Sequence, residues 1–346
     1  MKHIKSIAIT MALALGALSI PAGIVAAAET KLPKVRLAIN PLVYAHLPLM
    51  VAADKGYFTA EGVDAVIGKY PGSSNTQLPL VARGDLDMAP MVAGPALFNQ
   101  QSQGFNVKVV AFEYTSKRGW NESVWLLVRK DVWDSGAVRS IEDLKGHSVD
   151  GGPVGTPVNV LLRQVLAKAH LSLTDVKFSE RLVAPPDWLA ALRNKAVDGL
   201  TAVEPIASEI VRQGYGVKLV SPMDVAAWSP TATMVANPEF LQKNHDTVVH
   251  FLKAVLRADQ DIVRGGPHWT PEITGILAHW SKMTKDQITT IPSPSYYGDY
   301  GKIDPKLLDE QQKFWVDLGQ VKQPVDIATL IDASAIDEAR KDVQIK

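Results

Sequence analysis

A phrase of strand, loop and helix recurs through the first third of the chain, and it constrains the fold more than any other feature. "KVRLAIN" from Lys34 alternates and is β-branched, as a half-buried strand is, and "HLPLMVAADKGYF" follows at helical spacing, ended by Gly56. The phrase returns as "VDAVIGKY", the loop "PGSSNT" and "QLPLVAR" stopped by Gly84, and then as the strands "LDMAPMV" and "NVKVVAFEY". Strands alternating with helices predict an α/β fold whose mostly parallel sheet is covered on both faces.

A second unit opens near Ser123 with "SVWLLVRKD" and runs through "SIEDLKGHSVD" into "GGPVGTPVNVL" at 151–161. There Thr156 is placed to cap a helix and Pro157 to begin it, because a proline lacks only an N–H that a first turn leaves unpaired. A faint echo links "LVARGDLDMAPMVAGP" (80–95) with "LRNKAVDGLTAVEP" (192–205): each has a helix end, an aspartate before a short strand (Asp87, Asp198) and a loop ending in proline. With a length of 346 residues, this fits two domains of similar design. After Ser221 the pattern turns helical, in "EFLQKNHDTVVHFLKAVLRADQDIVR", "TPEITGILAHWSKM" and "DPKLLDEQQKFWVDLG", with Asn237 and Pro238 marking a helix entry.

The N-terminus stands apart. Lys2 and Lys5 precede an apolar stretch and the small residues Ala26 to Ala28, the pattern of a secretory signal over 1–28 cleaved near Ala28. Gly16, Pro21 and the Ala-rich end argue against a membrane anchor, which needs about 20 unbroken apolar residues. The chain has no cysteine, so neither a lipid anchor nor a disulfide scaffold is expected, and the expected location is the periplasm. Lys plus Arg equals Asp plus Glu at 36 each, so no charge excess points to nucleic acid or an anionic membrane. Any charged partner must be read by a local site.

Enzyme signatures fail one by one. Pro153 and Val154 break the order that a P-loop or a dinucleotide fingerprint needs, no G-x-S-x-G elbow occurs, and there is no thiol nucleophile. The histidine pairs His245 with His250 and His268 with His279 lack zinc spacing, so neither a metal nor a cofactor is expected. What remains is a set of helix starts after strand ends: "VYAHLP", "PGSSNT" and "GPVGTP". First turns expose unpaired N–H groups with partial positive charge, so several converging on the crevice beyond the strand ends make an anion receptor without any lysine. Ser73, Ser74, Asn75 and Thr156 either touch a ligand there or only cap helices.

Three other places carry candidates. "FEYTSKRGWNESVW" (112–125) packs Tyr114, Arg118, Trp120 and Asn121 into the crossover between the units, either to stack on a planar ligand and pair with its acid group or as a solvated turn with Trp120 in the core. Glu204 ends a strand before Pro205, where it could bind a ligand amine or favour a helix N-terminus. Trp188 and Trp228 lie near unit boundaries as ligand or packing residues, and Asp187 reads as an N-cap.

Together these segments resemble the periplasmic substrate-binding proteins of ABC importers for sulfonates, nitrate, taurine and thiamine precursors. The resemblance rests on "PLVYAHLPLMVAADKGYFTAEGVDA", "GSSNTQLPLVARGDLDMA", "GFNVKVVAF", "SIEDLKGHSVDGGPVGTPVNVLLRQVL", "AALRNKAVDGLTAVEP" and "NPEFLQKNHDTVVHFLKAVLRA", in that order. It implies a type II periplasmic-binding fold, two α/β lobes joined by two crossings, with lobe 1 at 34–118 and 226–346 and lobe 2 at 119–225. It places the ligand against Tyr44 and His46, the Ser73 to Asn75 helix start, Gly94, Gly155 with Thr156, and Glu204; Trp228 lies near the return crossing. It also implies a monomer that delivers a small organic anion, sulfonate or carboxylate, to an inner-membrane permease. A thiamine-precursor pyrimidine is the alternative, and an exported enzyme using His46 and Glu204 as acid and base is a further one. Two departures stand out. Ile206 follows the Glu-Pro pair where sulfonate and taurine binders often carry Trp, and the cysteine-rich motif of related pyrimidine-forming enzymes is missing.

Overall fold

The computed structural model describes residues 31–344 except 43, 71–73, 115–116, 118, 155, 183–184, 226–231 and 292. The expected leader, Arg118 and the 226–231 segment of the return crossing therefore lie outside the described residues. Ten strands are described: β1 (Lys34–Ile39), β2 (Asp64–Lys69), β3 (Met88–Val92), β4 (Lys108–Tyr114), β5 (Val124–Arg129), β6 (Ser148–Asp150), β7 (Lys177–Ser179), β8 (Gly199–Val203), β9 (Gly216–Val220) and β10 (Ala232–Ala236). They form two lobes. One contains the pair β1-β2 and the sheet β3-β10-β4, and the other the five-stranded sheet β7-β6-β8-β5-β9.

The echo between 80–95 and 192–205 has a structural cause. Asp87 donates its N–H to the carbonyl of Arg36 on β1 at 2.9 Å, and its carboxylate accepts the Arg36 N–H at 2.7 Å. Asp198 makes the same clasp with Ser148 on β6, at 2.8 and 2.9 Å. Each aspartate ties the start of a new strand to an earlier strand of its own lobe, so β1 lies beside β3 as β6 lies beside β8.

The expectation of a mostly parallel sheet needs correction: β1-β2, β6-β7 and β6-β8 are parallel, but β10 runs antiparallel to β3 and β4, and β5 to β8 and β9. Both reversed strands begin at a crossing. Ala232 of β10 sits opposite Val92 and Tyr114, the ends of β3 and β4, and Val124 of β5 sits opposite Val203, the end of β8. A chain arriving from the other lobe enters at the strand ends and must run back. The same geometry gathers the ligand-loop candidates along one edge of each sheet.

Helices cover the sheets. His245–Arg264, 20 residues long, packs its apolar face on Leu47–Asp54 and Ser334–Asp342, burying Val248, Phe251, Leu252, Leu256 and Ile262. Thr156 caps Pro157–Lys168 and Asn237 caps Pro238–Lys243, as the sequence indicated, whereas Asp187 lies inside the first turn of Pro185–Arg193 and is not a cap. Val154 and Val160, from the second lobe, share an apolar cluster with Met91, Ala93 and Trp315 of the first, so the lobes are in contact.

The glycines of "GGPVGTP" serve this packing. A side chain on Gly151 would strike Leu162, and Gly152 has φ +63° with Val158 2.8 Å from where a Cβ would stand. Gly151 and Gly152 thus make room for the chain's own helix Pro157–Lys168.

Candidate functional site

The turn after β1 carries the first candidates. Tyr44–His46 forms a single 3-10 turn that passes directly into Leu47–Asp54, with Pro48 in its first turn. Tyr44 is 3% exposed, its ring edge-on to Trp269 at 5.8 Å, and its carbonyl accepts the Tyr297 hydroxyl at 2.5 Å. Its own hydroxyl has no hydrogen-bond partner among the described residues. Burial, reinforced by the negative charge of Glu204 in the other lobe, pushes that phenol well above its ordinary range, so it stays a neutral donor.

The end of β4 and the crossover supply the next wall. Tyr114 shares a 2.8 Å hydrogen bond with Ser123 and meets the edge of Tyr297 at 6.4 Å. Burial is the main reason its hydroxyl is pushed up to about 12. Trp120 is half-buried against Tyr296 at 5.2 Å, and the Lys117 ammonium lies 4.1 Å from the centre of that Tyr296 ring. Asn121 is 8% exposed; its backbone N–H reaches the carbonyl of Pro294 at 3.3 Å, while its side-chain Nδ2 pairs with nothing among the described residues.

Other candidates have local duties. The Glu204 carboxylate accepts the Ser208 N–H at 3.0 Å, the Ser208 hydroxyl at 2.9 Å and the Lys218 ammonium at 2.5 Å, which is the helix-terminus role and not a receptor for a ligand amine. Thr156 donates to the carbonyl of Pro153 at 2.6 Å and accepts from Asn159. Gly94 starts the short helix Pro95–Phe98, with its N–H on the Val92 carbonyl at 2.7 Å. Trp188 is packing, its indole N–H on the Leu182 carbonyl. Ser73, Arg118, Gly155 and Trp228 lie outside the described residues, and Ser74 and Asn75 are described only as backbone of the turn Ser74–Gln77.

Tyr44, Tyr114, Trp120 and Asn121 are thus joined through Pro294, Tyr296 and Tyr297 of the 293–297 segment, and Ser123 links Tyr114 to Glu204, whose N–H reaches the Ser123 carbonyl at 2.9 Å. Sequence reasoning missed that segment, although "SPSYYGDY" (293–300) sets three tyrosines beside a proline and a glycine between helices, a composition suited to a site loop. It also missed Glu113 and Asp259. His46 Nδ1 lies 3.6 Å from Glu113 Oε1, too long for a hydrogen bond, and both Glu113 oxygens and Asp259 Oδ1 are buried without hydrogen-bond partners among the described residues. Asp259 had a signal: it interrupts an apolar helix face at the spacing Leu252, Val255, Leu256, Asp259. Among the described residues no cluster of three His, Asp or Glu side chains is arranged to hold a metal ion.

The NMT1/THI5-like family model matches residues 44–265. YtlA of Bacillus subtilis (strain 168), whose name describes binding without a ligand, is 28% identical over 292 residues, covering 82% of this chain and 81% of its own. Among solved structures, the periplasmic nitrate-binding protein NrtA from Synechocystis PCC 6803 superposes with TM-score 0.74 at 16% identity, covering 91% of this chain and 90% of its own. The periplasmic aliphatic sulphonate binding protein SsuA from Escherichia coli does so with TM-score 0.69 at 18% identity, covering 86% and 92%. The fold also serves catalysis: a mutant of the desulfurization enzyme DszB, in complex with biphenyl-2-sulfinic acid, superposes with TM-score 0.65 at 14% identity, covering 89% and 99%.

Proposed function

We propose that this chain, which belongs to the NMT1/THI5-like family, is the periplasmic solute-binding component of an ABC importer, holding a small organic acid with an aromatic body between its lobes. The observation that carries this reading is two buried donors unpaired among the described residues, the Tyr44 hydroxyl and the Asn121 amide, on segments whose backbones Tyr297 and Pro294 respectively hold, with the rings of Tyr114 and Trp120 packed on Tyr297 and Tyr296 of the same segment. A buried donor without a partner costs about 1–3 kcal/mol, and a ligand's sulfonate or carboxylate oxygens recover that cost. Tyrosine and tryptophan faces suit the apolar remainder. Lys218 is already neutralised by Glu204, so the acid is read by neutral donors together with Lys117 and Arg118 of the crossover.

Lobe closure over the ligand gives a permease and its ATPase a state to recognise. The leader over 1–28 delivers the chain to the periplasm in this reading, as a monomer. The lobe limits follow from it as well, with 34–118 and 226–346 in one lobe and 119–225 in the other.

A pyrimidine-like nitrogen compound is the second reading, favoured by one observation: Glu113, an acceptor without a partner beside the ligand turn. Against an enzyme, the acid and base that the sequence offered are separated in role. Glu204 is held by Ser208 and Lys218, and neither nitrogen of His46 makes a hydrogen bond among the described residues. Native mass spectrometry of protein purified without added ligand tests the proposal. A co-purified acid, chemically unchanged, supports it; a co-purified amine or pyrimidine supports the second reading, and a converted product supports an enzyme.

A further inference from the structure

Under the ligand turn lies a cavity of about 20 Å³, lined by Ala45, Pro48, Leu252, Leu256, Glu113 and Asp259 among others, with room for roughly one water molecule. Its walls are apolar except for the two carboxyl groups. Three of their oxygens have no partner, and Asp259 is 2% exposed. Two carboxylates facing one small apolar chamber cannot both stay ionised without a compensating charge. Among the described residues, no lysine or arginine pairs with either of them. His46 faces Glu113 from the ligand turn, and Tyr114 adjoins it on β4. Tyr297 of the 293–297 segment lies within reach of both acids, and Tyr300 feels the charge of Asp259.

We infer that Glu113 and Asp259 form a proton-holding pair, bridged by one buried water, that seats the turn carrying Tyr44 and His46. Burial raises both groups, Asp259 further through the charge of Glu113, while His46 partly offsets the rise at Glu113. The connection to the ligand turn is direct. Ala45 roofs the cavity between Tyr44 and His46, and the Tyr297 hydroxyl that fixes the Tyr44 carbonyl feels the charge of Asp259. A carboxyl with a raised folded value stabilises the fold fully below its ordinary range near pH 4 and loses that contribution as pH rises through the folded value. Alkaline pH therefore puts charge beneath the turn and loosens it.

This inference stands apart from the organic-acid reading but competes with the pyrimidine reading for Glu113, and its test needs no solute. Infrared spectroscopy of the full mature protein at neutral pH should show the carbonyl stretch of a neutral carboxylic acid, lost in Asp259→Asn or in Glu113→Gln. The melting temperature of the wild type should fall between pH 6 and pH 9 more steeply than that of either variant. A spectrum without that band at neutral pH, or three parallel melting profiles, would overturn the inference. The wild-type spectrum decides the matter even if one variant fails to fold.

Discussion

Tyr44 and Glu204 show two opposite ways for a buried polar group to exist in this protein. The Tyr44 hydroxyl gives nothing to the folded chain, because no described residue accepts it. Tyr44→Phe should therefore leave the melting temperature of the ligand-free protein unchanged or higher, yet weaken capture of the solute about tenfold, the loss of one hydrogen bond to a charged group; titration calorimetry reads both the affinity and its enthalpy. Glu204 is the reverse, because Lys218 and Ser208 satisfy it completely. Lys218→Met leaves a carboxylate buried and uncompensated and should cost about 3 kcal/mol, as urea unfolding would show, with Glu204→Gln in the same chain recovering most of the loss. The sequence offered Tyr114 and Glu204 because each lies where a strand ends, Tyr44 and His46 because they precede a helix start, and Trp120 and Asn121 because the crossover crowds them beside an arginine. Lys218 was not legible, since its position on the neighbouring strand is fixed by β5-β9 pairing, which local pattern does not encode.

Among the elements, those with a strong period or a flanking turn signal were read from sequence, and a strand with neither was not. The strand β10, "ATMVA", is buried at every residue and offers no alternation to recognise, so the region after Ser221 reads as helix throughout. The same gap hid the mixed character of both sheets. The aspartate clasps were visible as a faint echo, but their meaning required seeing that Asp87 and Asp198 hold equivalent strands. Burial pushes the Asp198 carboxyl up, but hydrogen bonds from Ser148 and His147, with Arg129 beside it, more than offset this and hold it below its ordinary range. Its contribution is present above pH 4 and lost as pH falls through the depressed folded value. Asp198→Ala should thus be less stable than wild type at neutral pH and converge with it in acid, in thermal melts run across that range. Thr156→Ala, which removes the cap of Pro157–Lys168, should cost about 1 kcal/mol with little pH dependence.

For the molecule as a whole, the two crossings turn strand ends toward each other, and apolar contact between lobes helps to keep them shut. Val160 belongs to a helix of the second lobe but packs into the core cluster of the first. Val160→Ala should shift the ligand-free protein toward open forms, seen as a larger radius of gyration in solution scattering that added ligand reduces. The central claim is that an organic acid fills the place where Tyr44 and Asn121 are left unpaired. Thermal melts of ligand-stripped protein against aromatic and aliphatic sulfonates, carboxylates, pyrimidines and amines test it most directly, because a solute held at a hundred times its Kd adds about 2.7 kcal/mol of stability. The account predicts a raised midpoint with at least one aromatic sulfonate or carboxylate, much reduced in Tyr44→Phe. Stabilisation by pyrimidines or amines and by none of the acids would contradict it.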